Sequence, residues 1–188
     1  MDAKQKIAAF VTMPVDYELV SVTQGKRNQK SIAVYRYQKD GAFELNGPRI
    51  TALYADKQLV SLKAYHTLHP GSLLREDAAV ARANEIWQRF DPKYAAGLSY
   101  LRLENQTREV LIDGKPLSFP VQWIKFGHHN GSYNWVTLGG NGDIVELEID
   151  SRWDYFRGRR KTEMWDNDDW VLAHEGRGPQ LNSPNALA

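Results

Sequence analysis

The side chains best suited to bind a charged ligand are concentrated in residues 151–175, which we call the Trp/Arg segment. Its arginines alternate with aromatic side chains, and acidic residues follow. Arginine binds carboxylates and phosphates through paired hydrogen bonds, and flanking aromatic rings add stacking and cation–π contacts. The pattern predicts a site for an anionic group, such as a peptide carboxylate or a phosphorylated molecule. The candidate ligand-binding residues are Trp153, Tyr155, Arg157, Arg159, Arg160, Trp165 and Trp170.

The same segment also has a structural interpretation. Its aromatic residues could cover an open sheet face, while its arginines pair with the neighbouring acids in a solvated network. The acids available for such pairing are Glu163, Asp166, Asp168 and Asp169. The two interpretations are compatible, and both stay open at this point.

The histidines carry a weaker signal. His66 and His69 stand where a strand runs into a loop, so they lack the helical spacing that makes two rings converge on a metal. His128 and His129 lie in a turn, and adjacent residues of a strand point to opposite faces. Both pairs are therefore interpreted as ordinary turn or loop residues.

Three other patterns also fall short of a site. Asp166–Asp169 resembles a calcium-loop fragment, but the order of a full loop is broken after it. Gly139–Asp143 is followed by a strand and not by a helix, which favours a hairpin turn over a phosphate loop. A glycoside hydrolase would need two acids across a cleft, and Trp87 and Trp123 fit core stripes better than a sugar-binding cleft. We predict no catalytic residue, no metal site and no cofactor.

The composition indicates a globular chain. Of 188 residues, 42% are hydrophobic and 25% charged, which excludes a disordered or fibrous chain. The absence of cysteine excludes disulfides, thiol catalysis and cysteine-based metal centres. The formal net charge of +1 creates no global field that would gather nucleic acid.

The N-terminal sequence and the hydropathy of the chain predict its cellular compartment. The N-terminal stretch does not read as a signal peptide, and no window approaches the roughly 20 apolar residues of a membrane helix. Mean hydropathy is −0.55. We expect a soluble cytoplasmic protein without a membrane span, or an extracytoplasmic one if a leader was removed.

Hydrophobic periodicity predicts the elements that must position these residues. Ile7, Ala8, Phe10 and Val11 share one side of a short first helix. A second helix over Leu74–Phe90 has apolar residues at helical spacing. The predicted strands are Tyr17–Val22, Ser31–Gln38, Arg49–Ala55, Leu59–His66, Leu98–Asn105, Arg108–Ile112, Leu117–Phe126, Tyr133–Leu138 and Ile144–Ile149.

The order of these elements suggests that one plan occurs twice. A helix precedes each set of strands, and residues 49–65 match residues 133–149 as hairpins with tight turns. We predict an α+β fold made of two repeats, each a helix packed on an antiparallel β-meander. The first repeat is predicted over residues 1–71 and the second over residues 72–150. The Trp/Arg segment, residues 151–175, is predicted to dock across both, and residues 176–188 are predicted to form an extended or disordered tail.

Two segments of this plan resemble a known family. The acid-rich start and alanine-spaced helix of SLLREDAAVARANEIWQRFDPKY (72–94), and the hairpin YNWVTLGGNGDIVELEID (133–150), look like PepSY-type domains. The tandem layout looks like the YcdB/YcdC type, over roughly residues 30–150. The resemblance implies a cystatin-like α+β module that binds or inhibits peptides and peptidases. The family motif supplies no catalytic residue.

These observations favour a non-enzymatic binding module of bacterial type. It would recognise a peptide or protein through a sheet face or edge together with the Trp/Arg segment, in an inhibitory or regulatory role. A small hydrolase is one alternative. The other is an immunity-type or self-associating protein, in which exposed strand edges pair two copies as a homodimer.

Overall fold

The computed structural model describes residues 3–66, 69 and 71–188, and its main element is one sheet. The strands of this sheet are β1 (Tyr17–Arg27), β2 (Lys30–Lys39), β3 (Arg49–Ala55), β4 (Gln58–Tyr65), β5 (Leu98–Ile112), β6 (Lys115–His128), β7 (Tyr133–Leu138) and β8 (Ile144–Ser151). Their spatial order is β1-β2-β3-β4-β8-β7-β6-β5, and every neighbouring pair is antiparallel. Two meanders therefore meet at the centre of the sheet, where β4 pairs with β8.

Short helices and a small ribbon complete the described part of the chain. They are α1 (Ala3–Ala8), α2 (Glu76–Phe90), α3 (Pro92–Ala95), α4 (Asp168–His174) and the strands β9 (Trp153–Asp154) and β10 (Arg159–Arg160). The predicted α+β class is confirmed at this level, as an antiparallel sheet with four short helices. The internal repeat and the cystatin-like plan stay predictions. None of the described helices is both long and apolar enough to cross a membrane.

One face of the sheet is packed by α1 and α2. The buried apolar residues of α2 recur at helical spacing, and the small side chains of Ala79 and Ala83 let the helix approach the strands closely. Trp87, on the same stripe, is 1% exposed and meets Phe126 of β6 edge-on at 6.0 Å between ring centroids. This face holds the main hydrophobic core, as the periodicity of α2 predicts.

The sheet curls strongly toward its opposite face. Arg108 of β5 bonds Glu146 of β8 at 2.8 Å, although the two strands are three positions apart and neighbouring strands are about 4.8 Å apart. From the other edge, Arg27 of β1 reaches Glu148 of β8 at 2.8 Å. We call this opposite face the concave face.

The Trp/Arg segment lies on the concave face, over the first meander. The indole of Trp165 donates a hydrogen bond to the carbonyl of Lys26 at 2.7 Å. A Cβ atom at Gly25 would stand only 2.7 Å from the Trp165 ring, so the missing side chain of this glycine makes room for the indole. Beyond this segment, residues 176–188 form no helix or strand, yet Ala186 is buried against Met164.

Two predicted strand boundaries are wrong. The first strand does not end at Val22 but continues to Arg27, paired with β2 over its whole length. Leu98–Asn105 and Arg108–Ile112 are not two strands but the single strand β5, whose pairing with β6 continues through Gln106 and Thr107. These two polar residues face the partner strand's Val121 and Pro120 without a turn. A polar pair in an edge strand needs no break, because one side of that strand is open to water.

Candidate functional site

Strand alternation places a set of polar and aromatic side chains on the concave face. Residues two apart in a strand share a face. In β6 this pairs Trp123 with Lys125, and in β7 it pairs Tyr133 with Trp135. Their sequence neighbours point to the opposite face, where the core lies, so the same strands serve both the core and the concave face.

These side chains line a cavity of about 660 Å³ over the second meander, which we call the concave-face cavity. Its aromatic lining consists of Tyr65, Trp123, Tyr133, Trp135, Trp153 and Tyr155. Its charged lining consists of the cations Lys63, Arg102, Arg108, Lys125 and Arg160 and the carboxylates Glu104 and Glu146. Such a mixture of flat apolar walls and a few directed polar groups is typical of a ligand-binding site.

Glu146 is the fixed negative charge of the cavity. Arg108 binds both of its oxygens, at 2.8 and 3.0 Å, and the hydroxyls of Tyr65 and Thr137 also donate to it. Burial by itself would raise the pKa of Glu146, but the charge and hydrogen bonds of Arg108 outweigh this and hold the pKa well below its usual range. Glu146 is therefore ionised at neutral pH.

Two neighbouring indoles of the wall lie between two cations. The guanidinium of Arg102 lies 5.5 Å from the ring centroid of Trp123, which in turn lies 5.8 Å from Trp135. Arg160 then stands 5.3 Å above the Trp135 ring. These cation–π contacts restrict the orientation of the two indole rings before any ligand binds.

Three of the predicted site residues line the cavity. Arg160 binds the buried Glu148, and Trp153 forms part of the rim. Tyr155 is 74% exposed and its hydroxyl meets that of Tyr133 at 2.6 Å, so it bridges from the Trp/Arg segment to the second meander.

The other four predicted site residues lie away from the cavity lining. Arg157 is exposed and lies 3.9 Å from Asp154, while Arg159 donates a hydrogen bond to the carbonyl of Leu181. Trp165 and Trp170 pack edge-on at 5.1 Å between ring centroids. Trp170 is 1% exposed and packs with Met164 and Ala186, whereas Trp165 also contacts the apolar residues of the first meander. These two tryptophans therefore hold the segment and the tail together on the sheet.

The segment's acids also differ from the expected pattern. The predicted network with the segment's own arginines is wrong for Asp166 and Asp168, which bind residues of the sheet. Asp168 accepts hydrogen bonds from Arg36 at 2.6 and 3.0 Å, and Asp166 binds Ser61 at 2.8 Å. These partners are distant in sequence, because the folded segment lies over buried cations and hydrogen-bond donors of the sheet.

The histidines lie outside this cavity. The rings of His66 and His69 stand 5.8 Å apart beside a separate cleft, where burial lowers the pKa of His66 to about 4. His128 and His129 do not diverge as alternation predicts, since their rings are 4.1 Å apart. Within the described ranges, no group of three or more histidine or acidic side chains is placed to hold a metal ion.

Sequence reasoning missed the residues that form most of the lining. Trp123 was expected in the core but faces the cavity, and Lys125, Tyr133 and Glu146 were not singled out. A signal was present, because polar and aromatic residues alternate with apolar ones in the predicted strands. Only the curl of the sheet brings them to one place.

Comparison with known proteins adds no assignment: the chain matches no family model, and no curated protein is significantly similar to it in sequence. The PepSY-like resemblance therefore stays a prediction, and the concave-face cavity is the main indication of function.

Proposed function

We propose that this protein is a non-enzymatic binding module and that the concave-face cavity is its binding site. The observation that carries the proposal is the convergence of six aromatic side chains, from both the sheet and the Trp/Arg segment, on one open cavity of about 660 Å³. The ligand is a flat apolar group, either a small molecule or an aromatic side chain of a peptide.

The electrostatics of the cavity support binding over catalysis. A general acid or base works best when its pKa lies near the working pH. Among the described lining residues, Glu146 is held ionised by Arg108, and Glu104 pairs with Arg102 at 2.6 Å. Glu146, the buried carboxylate of the cavity, is therefore not a proton donor at neutral pH, which favours a binding role over the hydrolase alternative.

The walls support recognition of a planar group. Aromatic residues bury a large contact area at low entropic cost, and Trp and Tyr dominate the energetic centres of interfaces. Trp123 and Trp135 are already fixed by neighbouring cations, so a ligand would not have to order them.

The test is a fluorescence titration with the uncharged aromatic dye N-phenylnaphthylamine. The wild type should bind it, and Trp123→Ala should weaken binding about tenfold or more, as expected for truncating a central anchor. The matched control is Phe156→Ala, since Phe156 is 100% exposed and does not line the cavity. Equal loss in both variants, or no binding by the wild type, would contradict the proposal.

A second arm asks whether peptides use the same site. The blocked tripeptide Ala-Phe-Ala should displace the dye, whereas blocked Ala-Ala-Ala should not. Failure of the aromatic peptide to displace a bound dye would exclude peptide recognition and restrict the site to small molecules.

A further inference from the structure

Lys125 stands apart from the other cations of the concave-face cavity. Each of the others has a carboxylate oxygen within 4 Å, in the pairs Arg102–Glu104, Arg108–Glu146, Arg160–Glu148 and Lys63–Asp166. In the described part of the chain, the ammonium of Lys125 has neither a carboxylate at that distance nor a hydrogen-bond acceptor. Among the described lining residues, Lys125 is therefore the cation without a carboxylate partner.

Aromatic rings surround this charge. Its Nζ lies 3.7 Å above the ring centroid of Tyr133 and 5.5 Å from that of Trp123. These contacts orient the ammonium but do not neutralise it. The side chain is half-buried, so water compensates its charge only in part.

We propose that Lys125 binds the single anionic group of a ligand whose flat apolar body lies against Trp123. This inference rests on the proposed function and specifies its ligand class: an aromatic or apolar molecule with one carboxylate or a similar anion. Both a free aromatic acid and the C-terminal carboxylate of a peptide meet this description.

The existing ion pairs favour Lys125 as the site of the anion. Arg108 already binds both oxygens of the buried Glu146, and Arg160 bonds the buried Glu148, so an anion at either arginine would compete with a carboxylate that is already in place. Lys125 needs no such exchange. A charge-assisted hydrogen bond formed in a partly dry site is stronger than a neutral one, which makes the anion the element of selectivity.

The test compares two dyes with the same ring system. Anilinonaphthalene sulfonate is the sulfonated counterpart of N-phenylnaphthylamine, so the difference between their dissociation constants reports on the sulfonate group. The wild type should bind the sulfonate about tenfold more tightly or better, the range expected of one hydrogen bond to a charged group.

Variants then locate the source of this preference. Lys125→Met should abolish the preference, so that this variant binds the two dyes with similar dissociation constants. Lys125→Arg should restore most of the preference, because the charge is retained. Lys161→Met, which removes an exposed lysine outside the cavity, should bind both dyes like the wild type.

A pH series checks the same group without a mutation. Burial lowers the pKa of Lys125 from 10.5, and the charge of Arg102 lowers it further, while Glu104 opposes them. The hydrogen bond to Tyr155 raises the pKa of Tyr133, whose ring lies beneath the ammonium. The preference for the sulfonate should therefore begin to fall as the pH rises through the lowered pKa of Lys125 in the free protein, which lies below 10.5.

The outcomes separate the inference from the proposed function. If the uncharged dye binds and the sulfonate shows no preference, or keeps its preference in Lys125→Met, the inference is wrong and the proposed function stands. If neither dye binds the wild type, both are wrong. Displacement of the sulfonate by naphthoate, or by the tripeptide Ala-Ala-Phe as free acid but not as amide, tells the two ligand sources apart; displacement by neither contradicts the inference.

Discussion

Asp168→Asn tests what holds the Trp/Arg segment to the sheet. Asp168 is buried and accepts two hydrogen bonds from Arg36 and one from the backbone N–H of Asn46 at 2.6 Å. Arg49 lies 3.8 Å from the same carboxylate. Asparagine keeps the shape but removes the charge, so two buried guanidinium groups lose their counter-ion.

The expected loss of unfolding free energy is about 3 kcal/mol, the lower end of the range for breaking a buried ion pair, because asparagine still accepts one bond. For a chain of this size, that corresponds to a drop in Tm of about 6–12 °C. Urea unfolding at pH 7 measures it. Asp169→Asn is the matched control, since this exposed neighbour accepts a hydrogen bond from the side chain of Asn46 and should change stability by less than about 0.5 kcal/mol.

The pH dependence gives an independent check. Burial raises the pKa of Asp168, but Arg36 and Arg49 outweigh burial, and the native pKa lies below 3.8. The stabilisation is therefore complete above about pH 4 and is lost as the pH falls through the lowered native pKa. Wild type and Asp168→Asn should converge in acid. Similar stability of Asp168→Asn and Asp169→Asn at pH 7 would refute the anchoring argument.

Two further substitutions test the core and the segment. Trp87→Ala should cost about 3–5 kcal/mol in urea unfolding, because it opens a cavity under α2, and a loss below about 1 kcal/mol would contradict the observed packing of that helix. Arg160→Gln should cost about 1–3 kcal/mol, since it removes a charged donor from a buried carboxylate, whereas the exposed Arg157→Gln should leave the melting temperature nearly unchanged. A neutral Arg160→Gln would show that this arginine is free for a ligand.

Local patterns predicted the elements of this fold well. The α2 stripe and the turn at Asp113-Gly114 follow from residues close in sequence, and both turn residues have the positive φ that such a turn requires. The length of β5 was missed because Gln106 and Thr107 look like a break, although Thr107 favours a strand.

The lining of the concave-face cavity was harder to predict than the fold. The sequence singles out Arg160 and Tyr155, which line it, because their segment is rich in arginine and aromatic residues. It does not single out Lys125, since a lysine between aromatic residues in a strand has no local signature. Lys125 differs from the other lining cations because they have carboxylate partners. These partners cannot be found from sequence, since a pair such as Arg108–Glu146 joins residues 38 positions apart. Only the tertiary structure shows which charge is left over.

The six tryptophans provide the most direct test of the central claim. Trp123, Trp135 and Trp153 line the concave-face cavity, whereas Trp87, Trp165 and Trp170 lie outside it. In a nitrogen–proton correlation spectrum, each indole N–H gives its own signal, which single Trp→Phe variants assign. On addition of N-phenylnaphthylamine, the signals of the three cavity tryptophans should shift together and saturate, while the other three stay in place. Shifts confined to Trp87, Trp165 or Trp170, or no saturable shift, would contradict the assignment of this cavity as the binding site.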